Sequence, residues 1–161
     1  MKIAIKHLGM MLLLCVPLAT QAQDKETYRM GRERAMQIAA NVERTIRTRE
    51  PKWKLKKTLE AEFSSHQYFE SGTGELTLSI YVYGSTKEAS KELLVHAMSS
   101  SVAAHKELPD IGDEAFYMSH RYFSWLGVRK GRMLVEVRGP GPELTITKRF
   151  VQHALAQVDG K

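Results

Sequence analysis

The stretch that decides the fold is residues 122–138, YFSWLGVRKGRMLVEVR. Two strands are predicted here, one on each side of a tight turn at Lys130 and Gly131, since aromatic and β-branched residues are typical of strands. Pairing Val128 with Met133 across the turn makes one face of the hairpin apolar. The other face carries aromatic and charged residues: Phe123, Trp125, Arg129, Arg132, Glu136 and Arg138.

Three further segments are predicted to be strands. Apolar residues alternate with polar or aromatic ones over residues 76–82, and the same period of two runs through residues 53–63. Lys57 falls on the apolar phase of the second segment, so we expect a sheet edge, a bulge or a lysine that extends to solvent. A short strand is predicted near residues 115–119.

Apolar stripes with spacings of three and four predict three helices, at residues 26–49, at residues 86–99 and between Pro142 and Gly160. The second helix begins at a capping box formed by Ser85 and Glu88, whose side chains satisfy backbone donors at a helix start.

The resulting order, α, two strands, α, two or three strands, α, predicts an α+β protein. We expect an antiparallel sheet of four to five strands with the helices on one side and one two-layer core. No internal repeat is visible, and one domain over residues 23–161 accounts for the chain after its leader.

Residues 1–22, MKIAIKHLGMMLLLCVPLATQA, predict an export signal. Two lysines precede an apolar run that is shorter than the roughly 20 residues a membrane-spanning helix needs. We expect cleavage after Ala22, a mature chain that starts at Gln23, and a periplasmic or secreted location. The alternative is a lipoprotein attached at Cys15, which Leu14 disfavours because the residue before a lipidated cysteine is normally small.

Charge and cysteine content limit the function classes. Cleavage would remove two of the 24 Lys and Arg residues and none of the 18 Asp and Glu residues, which lowers the net charge from +6 to +4. That mild excess does not predict a nucleic-acid-binding protein. The single cysteine, Cys15, lies in the leader, so disulfides, thiol catalysis and cysteine metal sites are excluded for the mature chain.

The segment DIGDEAF at residues 110–116, with VRKGR at 128–132 and VEV at 135–137, resembles a pattern in many exported bacterial proteins. The end of the strand at Tyr83, Gly84 and Ser85 is similar to that group as well. The fold of these proteins is often similar to the α/β sandwich of the Mog1 and PsbP proteins. The resemblance therefore implies a two- or three-layer sandwich, and it implies no catalytic residue.

Candidate catalytic residues are sparse. The histidines outside the leader show no metal-ligand spacing, and no phosphate-binding loop is present, so we expect no metal and no cofactor. Asp113 and Glu114, with a distant histidine such as His120, could form a small hydrolase or lyase site if the fold brought them together. A structural turn is the favoured interpretation of these acids.

Two surfaces are the candidate binding sites, and both have residue types that are common where proteins meet partners or anions. The first, the aromatic–arginine face, consists of Tyr81, Tyr83, Phe123, Trp125, Arg129, Arg132 and Arg138. The second, the basic patch, consists of Arg44, Arg47, Arg49, Lys52, Lys54, Lys56 and Lys57.

Each surface has a plainer interpretation. The aromatic residues could be buried under the N-terminal segment or a long loop. The cations could simply favour a helix C-terminus and protect a sheet edge from further strand pairing.

The function expected from the sequence is a periplasmic, non-catalytic binding or accessory protein. Its partner would be a protein or an anionic component of the cell envelope, held by one of the two surfaces. A periplasmic inhibitor or immunity-type protein is one alternative, and the small hydrolase or lyase is the other.

Overall fold

The structure is a computed structural model that describes residues 9–99 and 105–159, with side chains over residues 29–99 and 105–158. The elements are α1 Gly9–Arg49, β1 Lys54–Ala61, β2 Ser64–Ser71, β3 Gly74–Val82, α2 Thr86–Met98, β4 Lys106–Glu107, β5 Glu114–His120, β6 Phe123–Lys130, β7 Met133–Pro140 and α3 Leu144–Asp159.

The strands form one antiparallel sheet in the order β1-β2-β3-β7-β6-β5-β4. The α+β class and the three helices are confirmed. The described residues contain seven strands, however, so the expected four to five was too few.

Strand β2 is missing from the sequence prediction because its sequence, SSHQYFES, has almost no apolar residue. Its buried side nevertheless faces α1, where Ser65 and Gln67 are fully covered and the Gln67 amide donates a hydrogen bond of 3.0 Å to the Ala39 carbonyl. Only Phe69 supplies a large apolar side chain to this strand's buried face. In β2, polar residues occupy buried positions that are usually apolar, and it is this apolar period that allows a strand to be predicted from sequence.

The central hairpin forms with a register two residues away from the predicted one. Val128 pairs with Val135, and Lys130 pairs with Met133, so the turn contains Gly131 and Arg132. Gly131 has a φ of 57°, which suits a tight turn. Since a shift of two residues preserves the face of every side chain, the predicted apolar face is correct.

The predicted irregularity at Lys57 is confirmed. Strand β1 is the first strand of the sheet, and a bulge lies between Leu55 and Lys57. The Lys57 side chain extends to within 5.7 Å of the Tyr68 ring centroid. Lysines and a bulge on an edge strand resist pairing with other chains.

The helices pack on both faces of the sheet, so the expectation of helices on one side is wrong. Helices α1 and α3 cover one face and enclose the larger core, which includes Val42, Ile80, Val135 and Phe150. Helix α2 packs on the opposite face against β5, β6 and β7. The protein is therefore a three-layer α/β/α sandwich.

The smaller core under α2 depends on Gly127. A Cβ atom at this position would lie 2.6 Å from the Trp125 ring and 2.8 Å from the Leu93 side chain. The absent side chain lets the indole lie flat on the strand while Leu93 of α2 packs above it. Strand β6 is thus largely buried on both faces, and Leu134 of β7 joins the same smaller core, which a simple alternation pattern does not reveal.

The helix ends agree with the local sequence signals. The Ser85 hydroxyl accepts a 3.1 Å hydrogen bond from the Glu88 amide, and the Glu88 carboxylate accepts one of 3.1 Å from the Gly84 amide. Helix α1 ends at Arg49, before Pro51, but it begins at Gly9 instead of near residue 26.

The predicted leader falls mostly outside the residues whose side chains are described. Its residues 9–22 belong to the backbone of α1, and residues 1–8 lie outside the described chain. Among the described residues, no helix is both long and apolar enough to cross a membrane.

Candidate functional site

The aromatic–arginine face is not one open surface. Trp125 is 9% exposed and Tyr83 is 6% exposed, because α2 covers them. The premise that these two aromatic side chains are accessible is therefore wrong, since both pack in one core with Ala89, Leu93 and Ala97 of α2. Tyr81 and Phe123 are half-buried beside the same helix.

The three arginines of this face have different environments. Arg129 is largely buried and donates hydrogen bonds to Asp113 at 2.8 Å and to Glu114 at 3.1 Å. Arg138 is exposed, with its guanidinium 4.2 Å from the Phe123 ring centroid, and Arg132 is exposed near the β3–α2 connection. Arg129 is held by structural ion pairs, so it is a poor candidate for binding a partner.

The structure does not bring Glu114 together with His120. Glu114 pairs with Arg129 at one end of β5, whereas His120 pairs with Phe123 at the other end. Six residues of strand place them about 20 Å apart. The hydrogen bonds from Arg129 and Ser90 lower the pKa of Glu114, so this carboxyl is an ion-pair partner in the fold and a poor general acid.

The basic patch keeps all seven side chains exposed. It wraps around the C-terminal turns of α1 and continues along the edge strand β1. Arg47 pairs with Glu43 at 2.6 Å, and Lys56 pairs with Glu70 at 2.6 Å. The other five cations form no ion pair within the described part of the chain: Arg44, Arg49, Lys52, Lys54 and Lys57.

A cleft of about 380 Å³ opens within the basic patch, between the end of α1, the turn after it, and strands β1 and β2. Four apolar residues take part in its lining, and the first three of them are at most 6% exposed: Ile46, Trp53, Phe69 and Leu55. Arg47 and Lys54 stand at the cleft together with Glu43 and Pro51. Cationic and apolar residues thus lie side by side in the lining of this cleft.

A second group of polar residues converges where α2 meets the uncovered part of the sheet; we call it the His–Tyr cluster, and it consists of His66, Tyr81, His96 and Glu136. The His96 Nδ1 atom lies 2.7 Å from Glu136 Oε1. The Tyr81 ring centroid lies 5.4 Å from that of His66 and 5.8 Å from that of His96.

Two serines hold the His66 ring in place. Its Nε2 lies 3.0 Å from the Ser64 hydroxyl and its Nδ1 lies 2.9 Å from the Ser79 hydroxyl. Both serines are buried. Within the part of the chain that the structure describes, no carboxylate hydrogen-bonds to the ring, so these residues do not supply the acid that orients the base in a catalytic triad.

Burial and charge shift the titration of this cluster in opposite directions. Burial lowers the pKa of His66. The hydrogen bond to the Glu136 carboxylate raises the pKa of His96, and Glu92 adds to the same effect. Burial is also the main cause of the raised pKa of Tyr81. Because the pKa of His66 is lowered and that of His96 is raised, the two histidines change the stability of the protein in opposite ways as the pH changes.

The His–Tyr cluster could not be predicted from spacing along the chain, because its members are neighbours across the sheet. His66 lies on β2, which was not predicted, and it pairs with Ser79 of β3. Ser79 in turn pairs with Glu136 of β7. Only a correct strand order brings these side chains together. Within the described residues, no three His, Cys, Asp or Glu side chains converge as a metal site.

We predict opposite pH effects for His96→Gln and His66→Gln. The raised pKa of His96 means that its stabilisation is fully present below about pH 6.5 and is lost as the pH rises through the folded-state pKa. His96→Gln should therefore lower the free energy of unfolding by about 0.5–1 kcal/mol at pH 5.5 and by less at pH 8.5.

His66→Gln is the matched comparison. Its lowered pKa makes the native protein lose stability below about pH 6.5, where the unfolded chain binds the proton more tightly. The variant should lack that loss, so its stability should fall less on acidification than that of the wild type. Urea unfolding at both pH values measures the two slopes, and equal slopes for the two variants would contradict the assignment.

Comparisons with known proteins give no family. No protein-family model matches the chain, and no curated protein matches it significantly. The resemblance to exported Mog1-like and PsbP-like proteins stays a prediction.

Proposed function

We propose that the protein is an exported, non-catalytic binding or accessory module that docks on an anionic surface of the cell envelope through its basic patch. One observation carries the proposal: five exposed cations of this patch form no ion pair within the described residues. Unpaired cations on one side of a protein attract anionic lipid headgroups over a distance set by the salt concentration.

The basic patch is favoured over the aromatic–arginine face because its side chains are accessible. Trp125 and Tyr83 would need α2 to move before a partner could touch them, and Arg129 would have to leave two carboxylates. Edge protection by the lysines of β1 supports the plainer interpretation of part of the patch. The C-terminus of α1 favours a cation at Arg49. Neither effect explains Lys52, which lies between the helix and the strand.

The location is tested by the N-terminus of the protein recovered from the periplasm of an expressing bacterium. Cleavage after Ala22 is expected to leave Gln23 as the first residue, because Ala22 ends a segment with the charge and apolar pattern of an export signal. N-terminal sequencing measures this directly. Recovery of the protein only from the cytoplasm, with Met1 intact, would contradict the proposed export.

The docking surface is tested by sedimenting the periplasmic protein with vesicles that contain phosphatidylglycerol. Arg49→Gln combined with Lys52→Gln should weaken binding roughly 30-fold, since each cation near an anionic surface contributes about 1 kcal/mol. Binding should also disappear at about 1 M salt, where the Debye length shrinks to about 3 Å.

The matched control is Lys87→Gln combined with Lys91→Gln, which removes two exposed cations from α2 on the other face of the sheet. This variant should bind vesicles like the wild type. Equal weakening by both double variants would show that only net charge matters and would reject the basic patch as the docking surface. Capture of a periplasmic enzyme in place of vesicles would favour the inhibitor alternative.

A further inference from the structure

A second concave site of the basic patch lies between α1 and α3, and we call it the α1–α3 pocket. Its volume of about 340 Å³ falls within the range of about 300–1,000 Å³ that is common for ligand sites. Side chains of α3 form one wall, and four residues of α1 form the other: Arg44, Thr45, Thr48 and Arg49. Among the described residues that line the pocket, none is acidic.

The sequence of α1 explains why its wall is concave. At about 100° per residue, the four side chains follow one another around the helix at about 0°, 40°, 100° and 140°, in the order Arg44, Thr48, Thr45 and Arg49. Two short side chains thus lie between two long ones. The Thr45 and Thr48 hydroxyls donate to the carbonyls of Asn41 and Arg44 at 3.0 and 3.1 Å. The guanidiniums are therefore the donors that this wall offers to a ligand.

The α1–α3 pocket carries positive charge that the fold does not neutralise. Arg44 and Arg49 are exposed and form no ion pair within the described part of the chain. Asn41 accepts a hydrogen bond from the Arg44 guanidinium and so orients it. The preference of a helix C-terminus for cations is confined to the last turn, so it accounts for Arg49 but not for Arg44. The helix end carries only about half a negative charge, which the two guanidiniums exceed.

Helix α3 adds a neutral donor and leaves space. Gln157 is half-buried, and its side-chain amide forms no hydrogen bond within the described residues. Ala156 beside it is exposed and short. Glu50, which lies 3.5 Å from the His153 ring nitrogen, is bound to Arg149 at 2.9 Å. This carboxylate is thus already paired with a cation outside the pocket.

We propose that the α1–α3 pocket binds one phosphate group, held between Arg44 and Arg49 with the Gln157 amide as a further donor. The planar guanidinium presents paired N–H donors that match phosphate oxygens, whereas an ammonium acts as a point charge. The inference rests on the proposed function, because both arginines belong to the basic patch. It adds to that function a ligand group and a single binding position. A phospholipid headgroup and a soluble phosphate share this chemistry, and vesicles distinguish the two.

Histidine resonances measured by nuclear magnetic resonance locate the anion. His153 lines the α1–α3 pocket, whereas His66 and His96 lie on the opposite face of the sheet, beside α2. Inorganic phosphate, added at constant pH and ionic strength, should shift the ring signals of His153 and leave those of His66 and His96 in place. Equal shifts at all three histidines, or no saturable shift at His153, would overturn the proposal.

Variants that keep the net charge test the geometry of the pocket. Arg44→Lys combined with Arg49→Lys should weaken phosphate binding at least about tenfold, because the forked donors are lost while the charges remain. Ala156→Leu fills the pocket at an exposed helix position, so it should remove the His153 shift while circular dichroism shows a folded protein. The control is Arg47→Lys, which changes a guanidinium of the basic patch outside this pocket and should bind phosphate like the wild type. Equal binding by the double variant and the wild type would reject the pocket.

Sedimentation with phosphatidylglycerol vesicles separates this inference from the proposed function. If the lipid headgroup enters the pocket, Ala156→Leu should weaken sedimentation although it keeps every cation of the basic patch. If the wild type binds vesicles but phosphate does not shift His153, the pocket inference fails and the proposed function stands. If phosphate shifts His153 but the vesicles do not bind, the docking proposal fails and the pocket is a site for a soluble phosphate.

Discussion

Phe150→Ala is expected to lower the free energy of unfolding by about 3–5 kcal/mol, the range found for truncating a buried aromatic ring. Phe150 is 0% exposed on α3. Its ring packs edge-on against Trp53, from the turn after α1, and against Phe69 of β2. Removing it leaves a cavity between three elements and also breaks two aromatic pairs, each of which contributes about 0.5–1.5 kcal/mol beyond its buried area.

Phe123→Ala is the matched control because it makes the same chemical change at a half-buried position. Phe123 loses a contact with the Arg138 guanidinium but creates no enclosed cavity, so the cost should be roughly 1–2 kcal/mol. Urea unfolding followed by far-ultraviolet circular dichroism measures both variants without relying on the tryptophans. Equal costs would mean that α3 does not seal the larger core.

The cost of Phe150→Ala would be a large part of the total, since domains of this size are usually stable by about 5–15 kcal/mol. It would also affect the cleft, because Phe150 supports two of the side chains that line it.

The fold could be predicted from the sequence wherever burial produced a simple period. The apolar stripe of α3 and the alternation in β3 both led to correct elements, as did the capping box at Ser85. Strand β2 could not be found, because Gln67 and Ser65 occupy buried positions that are normally apolar. Such buried polar residues depend on partners from α1, which sequence periodicity does not show.

The side of the sheet on which α2 lies could not be predicted for a related reason. Trp125 was predicted to lie on an outward face next to arginines, yet together with Leu134 it forms part of a second core. Gly127 is the local signal, since a glycine between two buried strand residues leaves room for a neighbouring ring. The basic patch was easier to predict, because charges close together in sequence stay close on one helix end and one strand.

The second large effect on stability is expected from a substitution in the turn before β5. Gly112 has a φ of 68°, and a Cβ atom there would lie 2.4 Å from Val128 Cγ1 and 2.6 Å from the Arg129 carbonyl oxygen. That carbonyl cannot move freely, because it accepts a 2.8 Å hydrogen bond from the Asp113 amide. Gly112→Ala should therefore cost roughly 2–5 kcal/mol, from backbone strain of about 1–2 and overpacking of about 1–3 kcal/mol.

Gly131→Ala separates the two contributions. Gly131 has a similar φ of 57°, but a Cβ atom added there would meet nothing within 4 Å. Gly131→Ala should therefore lower the free energy of unfolding only by the cost of backbone strain, about 1–2 kcal/mol. The difference between the two variants in urea unfolding thus measures the contact with Val128 and Arg129. If Gly112→Ala costs no more than Gly131→Ala, the turn is looser than the structure indicates.

If Gly112→Ala costs much more stability than Gly131→Ala, this would also explain why the segment DIGDEAF has a glycine directly before Asp113. The Asp113 carboxylate accepts hydrogen bonds from the Gly131 amide at 2.7 Å and from the Arg129 guanidinium at 2.8 Å. These hydrogen bonds therefore connect the start of β5 to the turn between β6 and β7. They need the close approach of the two chain segments that Gly112 allows. On this basis Asp113→Asn should destabilise the protein while leaving vesicle binding at the distant basic patch unchanged, which assigns the segment to folding and not to recognition.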